Sequence, residues 1–165
     1  MNCENCGAPM RLVRDRDYFV CDYCGSYYFP DANRDGIRVL NEPSNALCPV
    51  CKTTLVVAAL DSIRLLHCPK CMGNLIEQSA FALAVQYLRR HADTLSLPQP
   101  FNRAELQRPL QCPHCGRKMH TYQYGGAGNV VIDNCLNCSI IWLDWGEFNR
   151  IITVPEEESL ESDVE

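Results

Sequence analysis

Hydrophobic residues in this chain come in short runs separated by turn residues, and the arrangement occurs three times. Runs rich in Val, Ile and Tyr on both sides of a short turn are typical of β-hairpins. The first pair of runs flanks residues 15–17, the second flanks Asp61 and Ser62, and the third flanks the glycine-rich tip 125–128. The pattern therefore predicts three hairpins, with strand segments RLVR and YFVC, LVVAAL and IRLLHC, and MHTYQY and NVVIDN.

A helical periodicity follows the second hairpin. Apolar residues recur at intervals of three and four within QSAFALAVQYLRRH, which indicates one substantial helix. These residues are Phe81, Ala84, Val85 and Leu88. The prolines of the following segment SLPQP are expected to end this helix.

The three hairpins differ in what comes after them. In the third, Asp144 with Glu147 three residues later has the form of a capping box, which predicts a short helix through Phe148 and Ile152. In the first, Pro30 stands where the other units have an acidic residue. We therefore expect no helix there, and a turn in PDANRDG that leads to a strand IRVL.

Each hairpin is framed by cysteines. The chain has 12, and every one belongs to a CxxC pair: Cys3, Cys6, Cys21, Cys24, Cys48, Cys51, Cys68, Cys71, Cys112, Cys115, Cys135 and Cys138. The inner cysteines of the three units are separated by 14, 16 and 19 residues. The fourth residue after the last cysteine is Tyr28, Leu75 or Trp142, and each is followed by another apolar residue. The chain therefore contains three copies of one repeat unit.

Paired CxxC turns at this separation are a zinc signature, so we predict three zinc ions, each held by four thiolates. Units of about 30 to 50 residues are too small to fold on a hydrophobic core alone, and metal binding supplies the missing stability. Iron is the weaker alternative, because a tetrahedral thiolate cage also suits it. Structural disulfides and a CxxC redox couple are further alternatives, but the uniform spacing and the lack of a βαβ context count against them.

The closing segment CLNC-SII-WLDWGEF resembles the transcription-factor-IIB-type zinc ribbon family found in many bacterial proteins. The resemblance rests on Cys135 and Cys138 and on the run from Trp142 to Phe148, and Cys112 and Cys115 complete the site. Ser139 and Ile140 stand where the family often has glycines. The second unit matches in its cysteines and in Phe81, and the first matches in cysteines only. The resemblance implies a ribbon fold and zinc, and it implies little about the biological role.

The predicted fold is small, metal-stabilised and mainly β, with three tandem zinc ribbons, a longer helix after the second and a short helix after the third. The expected divisions are ribbon 1 at 1–41, ribbon 2 with its helix and proline-containing linker at 42–100, ribbon 3 at 101–152, and a disordered acidic tail at 153–165.

Charge separates the tail from the body. Residues 1–151 carry 15 basic and 14 acidic residues, whereas the last 14 residues carry six acids and no base, which accounts for the net charge of −5. Cysteine thiols that hold metal indicate a reducing compartment, so we expect a cytoplasmic protein. The start MNCENC does not resemble a secretory leader, and no apolar run is long enough for a membrane helix.

The residues indicate no acid–base pair, nucleophile or phosphate loop, so we expect a protein that is not an enzyme and has no small-molecule substrate. Two functions fit the pattern: a protein–protein adaptor and, as the alternative, a nucleic-acid-binding ribbon protein. The near-neutral body favours the adaptor, because nucleic-acid binders usually carry a basic excess. The candidate partner-binding residues are Trp145, Phe81 and Tyr27, while the basic residues beside the cysteines are expected to offset thiolate charge.

Overall fold

The computed structural model describes residues 1–91, 100, 102–124 and 130–152. Within them lie ten strands and three helices. The strands are β1 (Arg11–Val13), β2 (Tyr18–Val20), β3 (Tyr27–Tyr28), β4 (Arg38–Leu47), β5 (Thr54–Leu60), β6 (Ile63–His67), β7 (Asn74–Glu77), β8 (His120–Tyr124), β9 (Val130–Cys135) and β10 (Ile140–Leu143). The helices are α1 (Gln78–Arg90), α2 (Arg103–Gln107) and α3 (Glu147–Ile152). The mainly β fold and its three ribbons are confirmed; the predicted glycine-rich tip, the proline linker and the tail lie mostly or wholly outside the described residues.

The first ribbon forms a small sheet of its own. Its three antiparallel strands lie in the order β1-β2-β3, so β2 is central. The predicted hairpin joins β1 to β2, and Asp17 at its turn has a left-handed backbone with φ of 55°. Phe19 packs from this sheet against Leu40 and Ala59, which attaches the ribbon to the rest of the chain.

The second and third ribbons share one seven-stranded sheet. Its order is β4-β5-β6-β7-β10-β9-β8, so each ribbon contributes three consecutive strands and β4 adds an outer one. The last three residues of the expected strand IRVL form the start of β4, and β4 continues to Leu47 while it pairs with β5. The predicted division at 41/42 therefore falls inside a strand.

The two ribbons are joined by their third strands. β7 and β10 run antiparallel, with Leu75 opposite Trp142 and Ile76 opposite Ile141. The sheet is thus continuous from one metal-binding unit to the other.

Two helices cover one face of this sheet. α1 buries the apolar residues that the sequence placed at helical spacing, and they pack on strand residues such as Ile76, Ile141 and Leu143. Phe148 of α3 enters the same core and packs against Phe81. The longer and the shorter helix were predicted correctly, and α2 was not predicted. No helix in the described part of the chain is long and apolar enough to cross a membrane.

The opposite face of the sheet carries the indole of Trp142, which is fully buried. It packs with Leu55, Leu75 and Ile140. Gly73 lies directly on the indole ring, and a Cβ at this position would come within 2.2 Å of Trp142 Cζ2. The close contact of a backbone with an aromatic ring explains why a residue without a side chain occurs here.

The start of α3 is capped by a residue of the first ribbon's connection. The buried carboxylate of Asp35 accepts hydrogen bonds from the backbone N–H groups of Gly146 (2.9 Å) and Asn149 (3.1 Å). Half of the predicted capping box forms, since Glu147 accepts from the N–H of Asp144 at 2.6 Å. The other half does not form, because the Asp144 carboxylate accepts from Arg108 and Trp142 and the N–H of Glu147 donates to Asp144 O at 3.1 Å.

Candidate metal centres

Each CxxC pair lies in a tight turn that points both thiols the same way. In the first turn the N–H of Cys3 donates to Ala8 O and the N–H of Gly7 donates to Cys3 O, both at 2.8 Å. The residue after the second cysteine is left-handed in all six turns, as glycine allows most easily. It is Gly7, Gly25, Lys52, Met72, Gly116 or Ser139, with φ between 53° and 75°. Three turns therefore hold a side chain in a conformation that costs about 1–2 kcal/mol.

The hairpin of each ribbon brings two such turns together, so that four thiols converge. The structure groups all twelve predicted ligands as expected, in the sets Cys3, Cys6, Cys21 and Cys24; Cys48, Cys51, Cys68 and Cys71; and Cys112, Cys115, Cys135 and Cys138. Within each set the sulfur atoms all lie within 4.8 Å of one another.

The sulfur separations fit a tetrahedral metal. Cys3 Sγ lies 3.6 Å from Cys24 Sγ, Cys51 Sγ lies 3.4 Å from Cys68 Sγ, and Cys115 Sγ lies 3.6 Å from Cys135 Sγ. A zinc ion with Zn–S bonds of ~2.3 Å needs sulfurs about 3.8 Å apart, so a small adjustment of each set around the ion suffices. All cysteines are free thiols. The three sites fit three zinc ions, and the cofactor prediction is confirmed.

Burial and side-chain contacts shift the pKa values of individual thiols in opposite directions. Burial raises the pKa of Cys48 to about 11, whereas the Thr53 side chain lowers the pKa of Cys51 to about 6. In the first set the Ser26 side chain lowers the pKa of Cys24 to about 5. Four thiols this close repel each other once ionised, and a divalent cation removes that repulsion. Metal binding is therefore accompanied by proton release.

The three metal centres differ in their surroundings. Cysteines of the second and third centres belong to one hydrophobic cluster that also contains Trp142, Leu110 and Met119. Their second cysteines, such as Cys51 and Cys115, are half-buried. In the first ribbon Cys6 and Cys24 are exposed. The first centre is thus the most accessible to solvent.

Of the three predicted partner-binding residues, one needs correction. Phe81 is only 5% exposed and packs edge-to-face on Tyr124, because the helix that carries it supplies the core of the shared sheet. It cannot offer a binding surface. Tyr27 (62% exposed) and Trp145 (40% exposed) are on the surface, and their role in partner binding stays a prediction.

A buried ionic cluster at the start of α3 was not predicted. Arg108, which follows α2, binds Asp144 at 2.5 Å and Asp133 at 3.4 Å. Glu105 and Glu147 lie beside Asp144, with their oxygens within 4.8 Å of one another. Trp142 Nε1–H also donates to Asp144 at 3.1 Å. This cluster fastens the segment before the third ribbon to its core, and only the acidic residues of the WLDWGE run could have drawn attention to it.

The cluster holds more acidic than basic charge in a poorly solvated place. Burial, followed by repulsion from Asp144, raises the pKa of Glu147 to about 9. Burial also raises the pKa of Asp133 to about 6. Glu147 therefore carries a proton at neutral pH, which lets the cluster stay buried.

Residues 111–154 match the sequence model of the TFIIB-type zinc ribbon family, described as a transcription factor zinc-finger. The match covers the third ribbon, where the resemblance was expected, and that prediction is confirmed. Comparisons with curated proteins and with solved structures gave no match.

Proposed function

We propose that this protein, built from a TFIIB-type zinc ribbon and two further ribbons with four-cysteine sites, is a non-catalytic adaptor that binds another protein. The four thiols of each site surround the metal on all sides, and closed thiolate sites are structural. The zinc ions then stabilise the folded ribbons, and partner binding is left to the ribbon surfaces. The surface best suited to a partner is that of the first ribbon.

The observation that carries the proposal is the aromatic face of the first ribbon, formed by Tyr18, Tyr27 and Phe29. Tyr18 contacts Tyr27 edge-to-face with ring centroids 5.7 Å apart, and Phe29 with centroids 5.1 Å apart. Phe29 is 65% exposed. Clusters of exposed aromatic side chains are more typical of binding sites than of inert surface.

The corresponding faces of the other two ribbons are covered. There Ile76 and Ile141 lie under α1 and α3 in the shared core. In the first ribbon, Pro30 stands at the repeat position that precedes the helix in the other two ribbons. The chain then continues into β4 without a helix. A partner protein would supply the cover that the missing helix does not.

Charge supports a protein partner. Several arginines in the described part of the chain are paired with acids: Arg11 binds Asp22 at 2.8 Å, and Arg38 and Arg64 both bind Asp17. Each zinc centre with four thiolates adds a charge of about −2. These pairs and the thiolate charge weaken the attraction for a phosphate backbone, whereas an aromatic face suits protein contacts.

The test uses the tagged protein purified from its own host, with and without nuclease. Two variants are compared: Tyr18→Lys, which changes the aromatic face from the central strand, and Tyr122→Lys, which changes an exposed tyrosine of the third ribbon. We expect one protein to be recovered with the wild type and with Tyr122→Lys, to resist nuclease, and to be reduced at least tenfold with Tyr18→Lys.

The recovered protein, once purified, must also bind directly in calorimetry with the same ranking of variants. Recovery that is unaffected by Tyr18→Lys would contradict the proposal.

Nucleic-acid binding is the second candidate, supported by the transcription-factor description of the matched family. Lys52 and Lys118 line a common cleft of about 450 Å³ between the second and third ribbons, together with Arg108. A phosphate-driven complex must weaken steeply with salt. Anisotropy titrations with single- and double-stranded oligonucleotides test this: a steep salt slope that Lys118→Ala reduces would favour this candidate over the adaptor.

A further inference from the structure

The junction between the second and third ribbons is symmetric about the fourth residue after the last cysteine of each ribbon. Leu75 and Trp142 are both the fourth residue after the last cysteine of their ribbon, and they lie opposite each other in the β7·β10 pair. Ile76 lies opposite Ile141, which are the fifth and third residues of their repeats. Each third strand therefore uses the same edge and the same register to join the other.

The same edge of the first ribbon has no strand beside it. β3 pairs with β2 on one side only, within the part of the chain that the structure describes. The N–H of Cys21 donates to Ser26 O at 2.8 Å, which makes this a hydrogen-bonded pair. Because such pairs alternate, Tyr28 bonds inward to β2, while the backbone groups of Tyr27 and Phe29 point outward.

We propose that the outer edge of β3 pairs with the same edge of a second copy of this chain, in the register of the β7·β10 pair. Tyr28 would lie opposite Tyr28 of the other copy, and Tyr27 opposite Phe29. The two three-stranded sheets would become one sheet of six strands. The three strands of the second ribbon and the three of the third are already joined in this way within one chain.

The backbone of the first ribbon is compatible with this register. In the β7·β10 pair, the N–H of Gln78 donates to Ser139 O at 2.8 Å, so these two residues form a hydrogen-bonded pair. By alternation, the sixth residue after the last cysteine occupies a position whose N–H points away from the partner strand. In the first ribbon this residue is Pro30, and its missing N–H is not needed.

A second copy is the occupant that this geometry favours. A two-fold axis through the fourth repeat position lets one edge serve both partners, which is how closed dimers form. The cross-strand pairs would be aromatic, and such pairs stabilise antiparallel sheets. Exposed strand edges are otherwise blocked in monomeric proteins by charges or helices. Here Tyr27, Tyr28 and Phe29 carry no charge at all.

The interface is small, so the dimer should be weak, and two copies with a net charge of −5 each repel one another. Screening by salt should therefore favour association. This is opposite to the salt dependence of a nucleic-acid complex.

The experiment is sedimentation of the zinc-loaded full chain up to about 0.5 mM, which populates a dimer even at a dissociation constant near 1 mM. The variant Tyr27→Lys/Phe29→Lys places like charges opposite each other in both cross-strand pairs. The variant Tyr27→Lys/Phe29→Glu places opposite charges there. Tyr122→Lys is the control, and zinc content and circular dichroism show that each variant is folded.

We expect the mass to rise from 18.7 kDa towards twice that value for the wild type, more so at higher salt. The Lys/Lys variant should weaken association at least tenfold, and the Lys/Glu variant should restore it. A wild type that stays monomeric at every concentration would overturn the proposal, as would association that both variants leave unchanged or both abolish. A wild type that stays monomeric and captures another protein would overturn the proposal in favour of that partner.

This inference goes beyond the proposed function and fails separately from it. A monomer that still binds its partner through Tyr18 would leave the adaptor function standing. A dimer that captures no partner would leave only the self-association.

Discussion

The first ribbon and the fused second and third ribbons start from the same repeat and end with different means of stabilisation. In the fused pair, the third strands join edge to edge, two helices cover one face, and Trp142 fills the other. In the described part of the chain, the first ribbon has neither a helix nor a strand beside β3, and Tyr27, Tyr28 and Phe29 are exposed. The comparison teaches that the cysteine cage alone specifies a ribbon, whereas the residues after the last cysteine decide whether it merges with another.

The first ribbon is nevertheless attached to the pair by polar contacts as well as by Phe19. Asp17 forms ion pairs with Arg38 and Arg64 beneath the first hairpin. Asp35 caps α3 from the connection that follows the ribbon. These contacts position the first ribbon, while its own interior depends on its metal.

Loss of a metal ligand should separate the two regions most strongly. Zinc binding contributes on the order of 10 kcal/mol to the folding of such a unit. We expect Cys135→Ser to unfold the third ribbon and, through the β7·β10 junction, the shared sheet. Cys21→Ser should remove one zinc ion and leave the main thermal transition in place. Elemental analysis with calorimetry measures both, and equal damage by the two substitutions would contradict the comparison.

The packing of Gly73 on Trp142 is specific to the fused pair. The Cβ of Gly73→Ala would lie within 2.2 Å of the indole, so we expect a loss of about 3 kcal/mol of unfolding free energy. Gly7→Ala in the first ribbon is the control, since nothing lies within 4 Å of its Cβ and only the cost of a left-handed alanine, about 1–2 kcal/mol, applies. Denaturant unfolding compares them. A Gly73→Ala variant no less stable than Gly7→Ala would show that the contact is not close.

Glu147 should give the fused pair a pH dependence that the first ribbon lacks. Its folded pKa of about 9 lies above its ordinary value of 4.5, so the folded state holds a proton that the unfolded state has lost between these values. The contribution of Glu147 to stability therefore falls as pH rises, by up to about 1.4 kcal/mol per unit. Between pH 7 and 9 we expect Glu147→Gln to lose about 2 kcal/mol less stability than the wild type.

The range starts at pH 7 because Asp133, with a pKa of about 6, contributes below it. The thiols, which titrate at about pH 8.5 in the unfolded chain, contribute equally to the wild type and the variant. Parallel stability curves for wild type and Glu147→Gln would show that Glu147 is already ionised at neutral pH.

The smallest expected effects concern the residue that follows each CxxC pair and has a left-handed backbone. Lys52→Gly, Met72→Gly and Ser139→Gly should each stabilise the fused pair by about 1 kcal/mol, because glycine adopts positive φ without strain. The first ribbon offers no such gain, since Gly7 and Gly25 already occupy its positions. Thermal unfolding of zinc-loaded variants measures this, and a lower melting temperature for all three would contradict it.

The sequence was sufficient for whatever depends on local spacing. The twelve ligands, the hairpins and the helical face of α1 follow from repeats and periodicity. Each of these features is encoded within about 40 consecutive residues.

The parts that could not be predicted depend on contacts between distant segments. Nothing in Leu75 or Trp142 alone tells that their strands pair, because a strand edge carries no sequence code of its own. The sequence indicates only a turn at Asp35, because its contact with α3 depends on the fold. Phe81 was interpreted as a possible partner-binding residue, since its helix is amphipathic and the surface that covers it comes from the third ribbon.

The central claim is that the first ribbon is an independent metal-held unit beside a fused pair. Hydrogen exchange measured by mass spectrometry during titration with a chelator, under reducing conditions, tests it most directly. We predict that β1 to β3 lose protection when the zinc ion of the first ribbon is released. Strands β5 to β10 should stay protected until the zinc ions of the second and third ribbons are released. Simultaneous loss of protection across all strands, or a chain that stays fully protected without metal, would contradict the claim.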